Sequence, residues 1–295
     1  MSDEHTHYLE AARVAASVRE MAEDFVKPGV GLLAIAEKIE SEIKSQGASM
    51  GFQACLSLNE AAAHDAPAMN DARILRESDV VKVDFGVHVE GCLIDQAFTF
   101  NASNEHEKLV TASKQALQDA LSVMRAGKTV KDVGEAISGA ITQAGFRPIE
   151  NLCGHSLAPW VVHAGVSVPN VPVGDYVFEE GDVFAVEPFA TAGAGRVQDG
   201  PVTEIYALAN DRGARLLQSR KALEWIHEER RTLPFAKRHL LPVLRSEASV
   251  NLAVRDLVRQ GILREYPILV EVNAGLVSQA ETTVIVEKDS VHVLV

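Results

Sequence analysis

Cysteine is scarce in this sequence: Cys55, Cys92 and Cys153 are the only three in 295 residues, and no two of them form a CxxC pair. Three are too few for a disulfide scaffold, and a reducing cytoplasm is the simplest setting. No apolar run approaches the roughly 18 residues that a spanning helix needs. The first residues, Met-Ser-Asp-Glu-His-Thr-His, carry charge where a secretory leader is apolar. Membrane insertion and secretion are therefore not expected. A basic excess is missing as well: 41 Asp and Glu against 28 Lys and Arg leave a net charge of −13, which disfavours nucleic acid as the partner of the whole surface. The charge is uneven, however. Between residues 211 and 265 twelve Lys or Arg stand against seven Asp or Glu, a local +5, so the other 240 residues carry −18. Gly193-Ala194-Gly195 lacks the remaining glycine of a dinucleotide fingerprint, and neither a P-loop nor a GxSxG elbow occurs. What remains is a globular composition, 47% hydrophobic and 23% charged, on a chain long enough to bury a full core.

Leu9, Val14, Val18, Met21 and Phe25 recur at spacings of three to five, so residues 9–26 read as an amphipathic helix, stopped by Lys27-Pro28-Gly29. Residues 30–46 read as a second helix, ended by Gly47. This second helix recurs 98 residues later. Residues 27–47 and 125–145 share Gly29/Gly127, Glu37/Glu135, Ile39/Ile137, Ile43/Ile141 and Gly47/Gly145 without a gap. Two short β-rich runs, 77–85 and 180–188, match at an offset of 103 and bring Asp84 and Glu187 into equivalent places. The pattern predicts two α+β halves related by a pseudo-twofold. Residues 207–265 read as helices with no counterpart in the first half, after which β-rich sequence resumes. That predicts a helical insertion, residues 207–265, within a single domain spanning 1–295.

Four acids stand in otherwise apolar, β-rich strings: Asp84, Asp95, Glu187 and Glu281. Asp84 and Asp95 lie on two runs joined by a short Val-Glu-Gly turn, as in a hairpin that brings them side by side. Ionised carboxylates in such settings are costly unless paired or bound to a metal. Four converging on one point would repel and stay protonated unless about four positive charges, the charge of two divalent cations, neutralised them. His155 offers an imidazole, which suits transition metals better than Mg²⁺ or Ca²⁺. Cys153, two residues before it, reads as a small packing residue rather than a nucleophile.

Taken together, VDFG, the Asp eleven positions on in IDQAFTF, GHS, VEPFAT and QAETT resemble the metal-ligand motifs of the methionine aminopeptidases. The likeness covers nearly the whole chain from about residue 9. The long helical insertion is similar to the type II branch, and the start of the sequence looks like the archaeal form without an N-terminal extension. The resemblance implies a pita-bread α+β fold, its duplicated halves arranged around an antiparallel sheet. It also implies two divalent transition-metal ions (Co, Mn, Fe or Zn) and removal of the initiator methionine from nascent polypeptides when the second residue is small, by attack of a hydroxide bridging the metals. Carried over by position, the ligands are Asp84, Asp95, His155, Glu187 and Glu281, with Asp95 and Glu281 bridging and Glu187 doubling as proton shuttle. His64 and His163 fall at the substrate-contacting positions, and Phe52, Val162 and Tyr266 at the methionine pocket. The stretch ATAGAGRVQDGP lacks a histidine that lines this pocket in eukaryotic relatives. A monomeric cytoplasmic enzyme is expected, with the ribosome as a further partner through the basic insertion, Arg230, Arg231, Lys237 and Arg238 in particular. Two other readings belong to the same fold: a proline-directed aminopeptidase, and an inactive protein that binds RNA or the ribosome.

Overall fold

The computed structural model describes residues 3–295. The first half runs α1 (Asp3–Phe25), α2 (Leu32–Ser45), β1 (Ser49–Leu58), β2 (Ala61–Ala63), β3 (Val80–Val89) and β4 (Cys92–Asn101). The second repeats the order with α3 (Glu107–Val123), α4 (Val130–Gln143), β5 (Arg147–Pro148), β6 (Cys153–Ser156), β7 (Ser167–Pro169), β8 (Val183–Val186) and β9 (Phe189–Thr191). After β10 (Val197–Leu208) come α5 (Leu217–Trp225), β11 (Phe235–Ala236), α6 (Leu241–Leu244) and α7 (Glu247–Arg259). The chain closes with β12 (Leu263–Glu271), β13 (Val277–Gln279), β14 (Thr282–Val286) and β15 (Val291–Val293).

Every pairing in these sheets is antiparallel, with β1-β3-β4 in the first half and β15-β14-β8-β6-β7 in the second. Each half packs its two helices on its own sheet: Ile35, Ile39 and Ile43 of α2 meet Val81, Val83 and Phe85 in one core, and Ile137 and Ile141 of α4 meet Phe184 and Val186 in another. The matched isoleucines of the repeat are thus the inward faces of matched helices. Its glycines serve turns, since Gly29, Gly47, Gly127 and Gly145 all hold φ between 83° and 91°, a backbone that side-chain-bearing residues avoid. The fold is α+β with duplicated halves. The first helix differs in one detail from its sequence reading: α1 begins at Asp3, and its buried face is Tyr8, Ala11, Ala12, Val14, Ala15, Val18 and Ala22, with Leu9 36% exposed. Small alanines let α1 approach the β3–β4 hairpin closely, and a pattern of large residues does not show them.

The chain that leaves β10 at Leu208 returns in β12 at Leu263, directly opposite, and α5, α6 and α7 build a separate core on the outer side of these strands. The bases expected on an outer face of this segment turn inward instead. Arg230 is 3% exposed and donates to Met50 O, Gly51 O and Pro234 O at 2.6–2.9 Å. Arg238 is buried against Glu40 and Pro67 O, and Lys237 pairs with Glu204 at 2.8 Å. Three of the four therefore tie the insertion to the body, because buried carbonyls of β1 and a buried carboxylate need donors, and this segment supplies them. Only Arg231 is exposed.

Glu40 is the centre of that tie. It also accepts from Ala54 N–H at 3.1 Å and from His239 Nε2 at 3.0 Å. Burial opposes its charge, but His239, Arg238 and the Ala54 amide outweigh it and hold the carboxyl down to about 2. The folded pKa is depressed, so the stabilisation is present above the ordinary value near 4.5 and is lost as pH falls towards 2. Burial also lowers the pKa of His239, which adds to the loss on acidification. Chemical denaturation from pH 6 to 3 should show a loss on the order of 3 kcal/mol attributable to this cluster. In Glu40→Gln the protein should be less stable at neutrality and its acid dependence flatter; an unchanged pH profile in that variant would contradict the assignment.

Candidate metal centre

The β3–β4 hairpin sets the first two acids. Its turn residues Glu90 and Gly91 hold φ of 49° and 88°, which matches the twist of the strands they join. Asp84 lies opposite Ala97, and Asp95 opposite Gly86. With side chains alternating along each strand, the two acids are diagonal neighbours on one face. Gly86 is required there, because a Cβ would lie 2.5 Å from the Phe52 ring.

The second half contributes at interruptions in its strands. Glu187 follows β8, Glu281 precedes β14, and His155 of β6 stands opposite Ala185 of β8. The expected equivalence of Asp84 and Glu187 is therefore inexact. Asp84 sits within an unbroken strand, whereas Pro188, with no N–H to offer, ends the ladder beside Glu187. The halves are sewn together next to the acids: Glu281 N–H donates to Ala97 O at 3.1 Å. Thr283 Oγ1 accepts from Asp95 N–H and donates to Asp95 O, both at 2.8 Å.

Donor atoms of Asp95, His155 and Glu281 come within 4.8 Å of one another. His155 Nε2 lies 3.5 Å from Asp95 Oδ2 and 3.8 Å from Glu187 Oε1. Asp84 joins the group through Gln279, whose Nε2 lies 3.4 Å from Asp84, 3.5 Å from Glu187 and 3.0 Å from Glu281. Gln279 escaped the sequence reading, although its place two residues before Glu281 in QAETT was a usable signal. A cavity of about 320 Å³ opens over these groups, lined by all ten residues singled out from the sequence: Phe52, His64, Asp84, Asp95, His155, Val162, His163, Glu187, Tyr266 and Glu281. Ile205, Pro234, Leu269 and Cys153 also line it, so Cys153 faces the cavity rather than a core. His64 holds a left-handed φ of 63°, with Nδ1 3.2 Å from Pro267 O and its ring edge-on to Tyr266. His163 meets the His155 ring at 4.4 Å between centroids.

Burial pushes Asp84 up to about 7 against the opposing hydrogen bond from Gln279, and pushes Asp95, Glu187 and Glu281 well above the ordinary carboxylate range, where repulsion from the neighbouring acids adds to it. Burial, with His163 close by, pulls His155 down to about 3. A neutral imidazole beside crowded carboxyls is what a metal ion takes as ligand. Asp84 Oδ1 and Asp95 Oδ1 are buried without a hydrogen-bond partner. Unpaired oxygens and one imidazole, converging in a cavity, fit a divalent cation.

Residues 6–218 match the profile of metallopeptidase family M24. The chain belongs to this family. Within it, the sequence is 48% identical over 287 residues to methionine aminopeptidase of Pyrococcus horikoshii, covering 97% of both chains. A thermophilic Arx1 superposes with a TM-score of 0.87 at 17% identity, over 100% of this chain and 91% of that one. Methionine aminopeptidase from Rickettsia prowazekii does so at 0.73 and 18% identity, over 100% and 97%. At these identities the two structures establish the shared pita-bread M24 fold and nothing finer.

Because a divalent ion binds the ionised acids, loading the centre should release protons, and its affinity should rise between about pH 6 and 8 as Asp84 ionises more readily. Calorimetric titration with Mn²⁺ in buffers of different ionisation enthalpy checks this. Binding that is pH-independent and releases no proton would contradict the crowded arrangement.

Proposed function

We propose that this chain is a metallo-exopeptidase that removes the initiator methionine from nascent polypeptides whose second residue is small, with one catalytic domain over residues 1–295 and residues 207–265 as its inserted subdomain. The convergence of Asp95, His155 and Glu281 in a cavity that Asp84 and Glu187 also line carries the reading. The 48% identity to an archaeal methionine aminopeptidase supports it. Asp84, Asp95, His155, Glu187 and Glu281 would hold two divalent transition-metal ions, with Asp95 and Glu281 shared between them; Co, Mn, Fe and Zn all suit this donor set. The pair of ions supplies Lewis acidity and an anchor for a free α-amine.

The remaining work falls to the protein. Glu187 Oε1, within reach of the imidazole side of the centre, takes the proton of the attacking water and returns it to the leaving amide nitrogen. His163 donates to the carbonyl oxygen as that oxygen gains charge. His64 keeps its proton on Nδ1, held by Pro267 O, and faces the scissile nitrogen and the second residue. Burial holds His64 down to about 4, so it is neutral at working pH. Phe52, Val162 and Tyr266 receive the methionine side chain. None of residues 190–201 lines the cavity, and Ile205 beyond them gives it an apolar side chain. The insertion supports the type II branch. Its exposed Arg215, Arg220, Lys221, Arg255 and Arg259 are the bases able to meet ribosomal phosphates, in place of the buried ones. No helix among the described residues is long and apolar enough to cross a membrane. We take the enzyme to be cytoplasmic and to act as a monomer. The inactive ribosome-binding reading rests on fold likeness alone and does not account for five retained donors.

Met-Ala-Ser should be cleaved and Met-Trp-Ser and N-acetyl-Met-Ala-Ser resisted; equal rates on the three would contradict a site that anchors a free amine and crowds the second side chain. His64→Ala and His163→Ala should retain metal while kcat falls about 10²–10³-fold. Metal loss in either variant would place these histidines among the ligands instead.

A further inference from the structure

The loop that carries Val162 and His163 is held by a residue in a backbone conformation that its side chain disfavours. Residues 158–161 form a tight turn, closed by Val161 N–H donating to Ala158 O at 2.8 Å. Pro159 takes the second position. Trp160 takes the third, at φ 67°, the place that a type II turn reserves for glycine. Facing it, residues 230–233 form a second turn, closed by Leu233 N–H donating to Arg230 O at 2.8 Å. There Arg231 is second, at φ 53° and ψ −108°, which is the glycine position of a type II′ turn. These two strained residues stack on each other, the guanidinium carbon lying 3.9 Å from the Trp160 ring centroid.

Other contacts converge on Trp160. Its N–H donates to Gly91 O at 2.9 Å, its carbonyl accepts from the Thr232 hydroxyl, and its ring meets His88 edge-on at 4.8 Å. Gly91 makes room, since a Cβ there would lie 2.3 Å from the indole nitrogen. Two facing glycine positions occupied by a tryptophan and an arginine persist only where surrounding contacts impose them, and such strain gathers at functional sites.

We propose that the Trp160–Arg231 stack is a positioning device through which the helical insertion fixes the Val162–His163 segment over the reaction cavity. Both of these residues line the cavity, and Trp160 stands three positions before His163. The far end of the loop is anchored separately, by Ala164 N–H on Ser156 O at 2.8 Å and Val166 N–H on Ser156 Oγ at 3.0 Å. Arg231 is exposed, so the stack is a cation–π contact at the surface rather than core packing. Without it the turn has less to hold Trp160 at a positive φ, and the segment relaxes away from the carbonyl that His163 serves. The inference rests on the aminopeptidase reading of the cavity.

Glycine variants separate positioning from stability, because glycine suits both backbones while abolishing the stack. For Trp160→Gly, Arg231→Gly and the double variant, kcat and KM on Met-Ala-Ser are measured beside metal content and thermal midpoint. Each single variant should lose on the order of 10–10²-fold in kcat, the scale of a small misplacement near the reacting groups, with metal content and midpoint held. The double variant should lose no more than the worse single one, since both remove the same device. Arg231→Lys, which keeps a cation over the indole, should recover most of the rate; this exposed position also carries the comparison, as Arg231→Ala against Arg231→Lys, if a glycine variant unfolds. Wild-type kcat in both glycine variants, or losses that multiply in the double one, would overturn the inference. A wild-type protein inactive on Met-Ala-Ser overturns instead the reading of the site on which it rests.

Discussion

Four carboxyl groups brought into one poorly solvated cavity set the terms for the rest of this molecule. Their mutual repulsion and loss of water work against folding, and the protein meets that cost with rigid geometry. Asp84 and Asp95 are fixed by the register of a hairpin that allows no sliding, since a one-residue slip would turn both acids to the opposite face. Glu187 and Glu281 sit where strands break, and Thr283 clasps the backbone of Asp95 across the seam between the halves. Gln279 donates among three of the acids at once. Each half has its own core behind this arrangement, so the acids are held by two packed bodies rather than by their own contacts.

The division between what the sequence showed and what it hid follows from periodicity. Duplicated helices keep their isoleucines and terminal glycines because a helix packed on a sheet needs both, and those positions can be matched by eye. The acids stand out since charge in an apolar strand is conspicuous. By contrast, Arg230 and Arg238 have the composition of a surface, and only the folded chain shows that their guanidinium groups satisfy carbonyls of β1 and the carboxylate of Glu40. Leu9 misled for the opposite reason, as four alanines share the buried face of α1 with Tyr8, Val14 and Val18 while Leu9 points outward. Trp160 gave no signal, because a positive φ at a tryptophan has no counterpart in residue type.

The insertion changes character under this view. Its charge pattern suggested a docking surface, yet the bases nearest the body serve as internal ties, and the one left exposed among the four stacks on the loop that bears His163. A segment absent from the first half thus reaches the cavity directly at Pro234, and is tied to its walls through Arg230 to β1, whose Phe52 lines it, and through Arg231 to the loop opposite. The symmetry of the two halves is broken on the side where a substrate must be told from its neighbours.

The central claim is that the five proposed donors hold two metal ions side by side. Anomalous diffraction from crystals of the Mn²⁺-loaded protein, collected on either side of the manganese absorption edge, tests it most directly. The account predicts two peaks about 3.5–4 Å apart, enclosed by Asp84, Asp95, His155, Glu187 and Glu281, with Asp95 and Glu281 touching both. Peaks elsewhere in the molecule, or none within the cavity under conditions that support peptide cleavage, would contradict it.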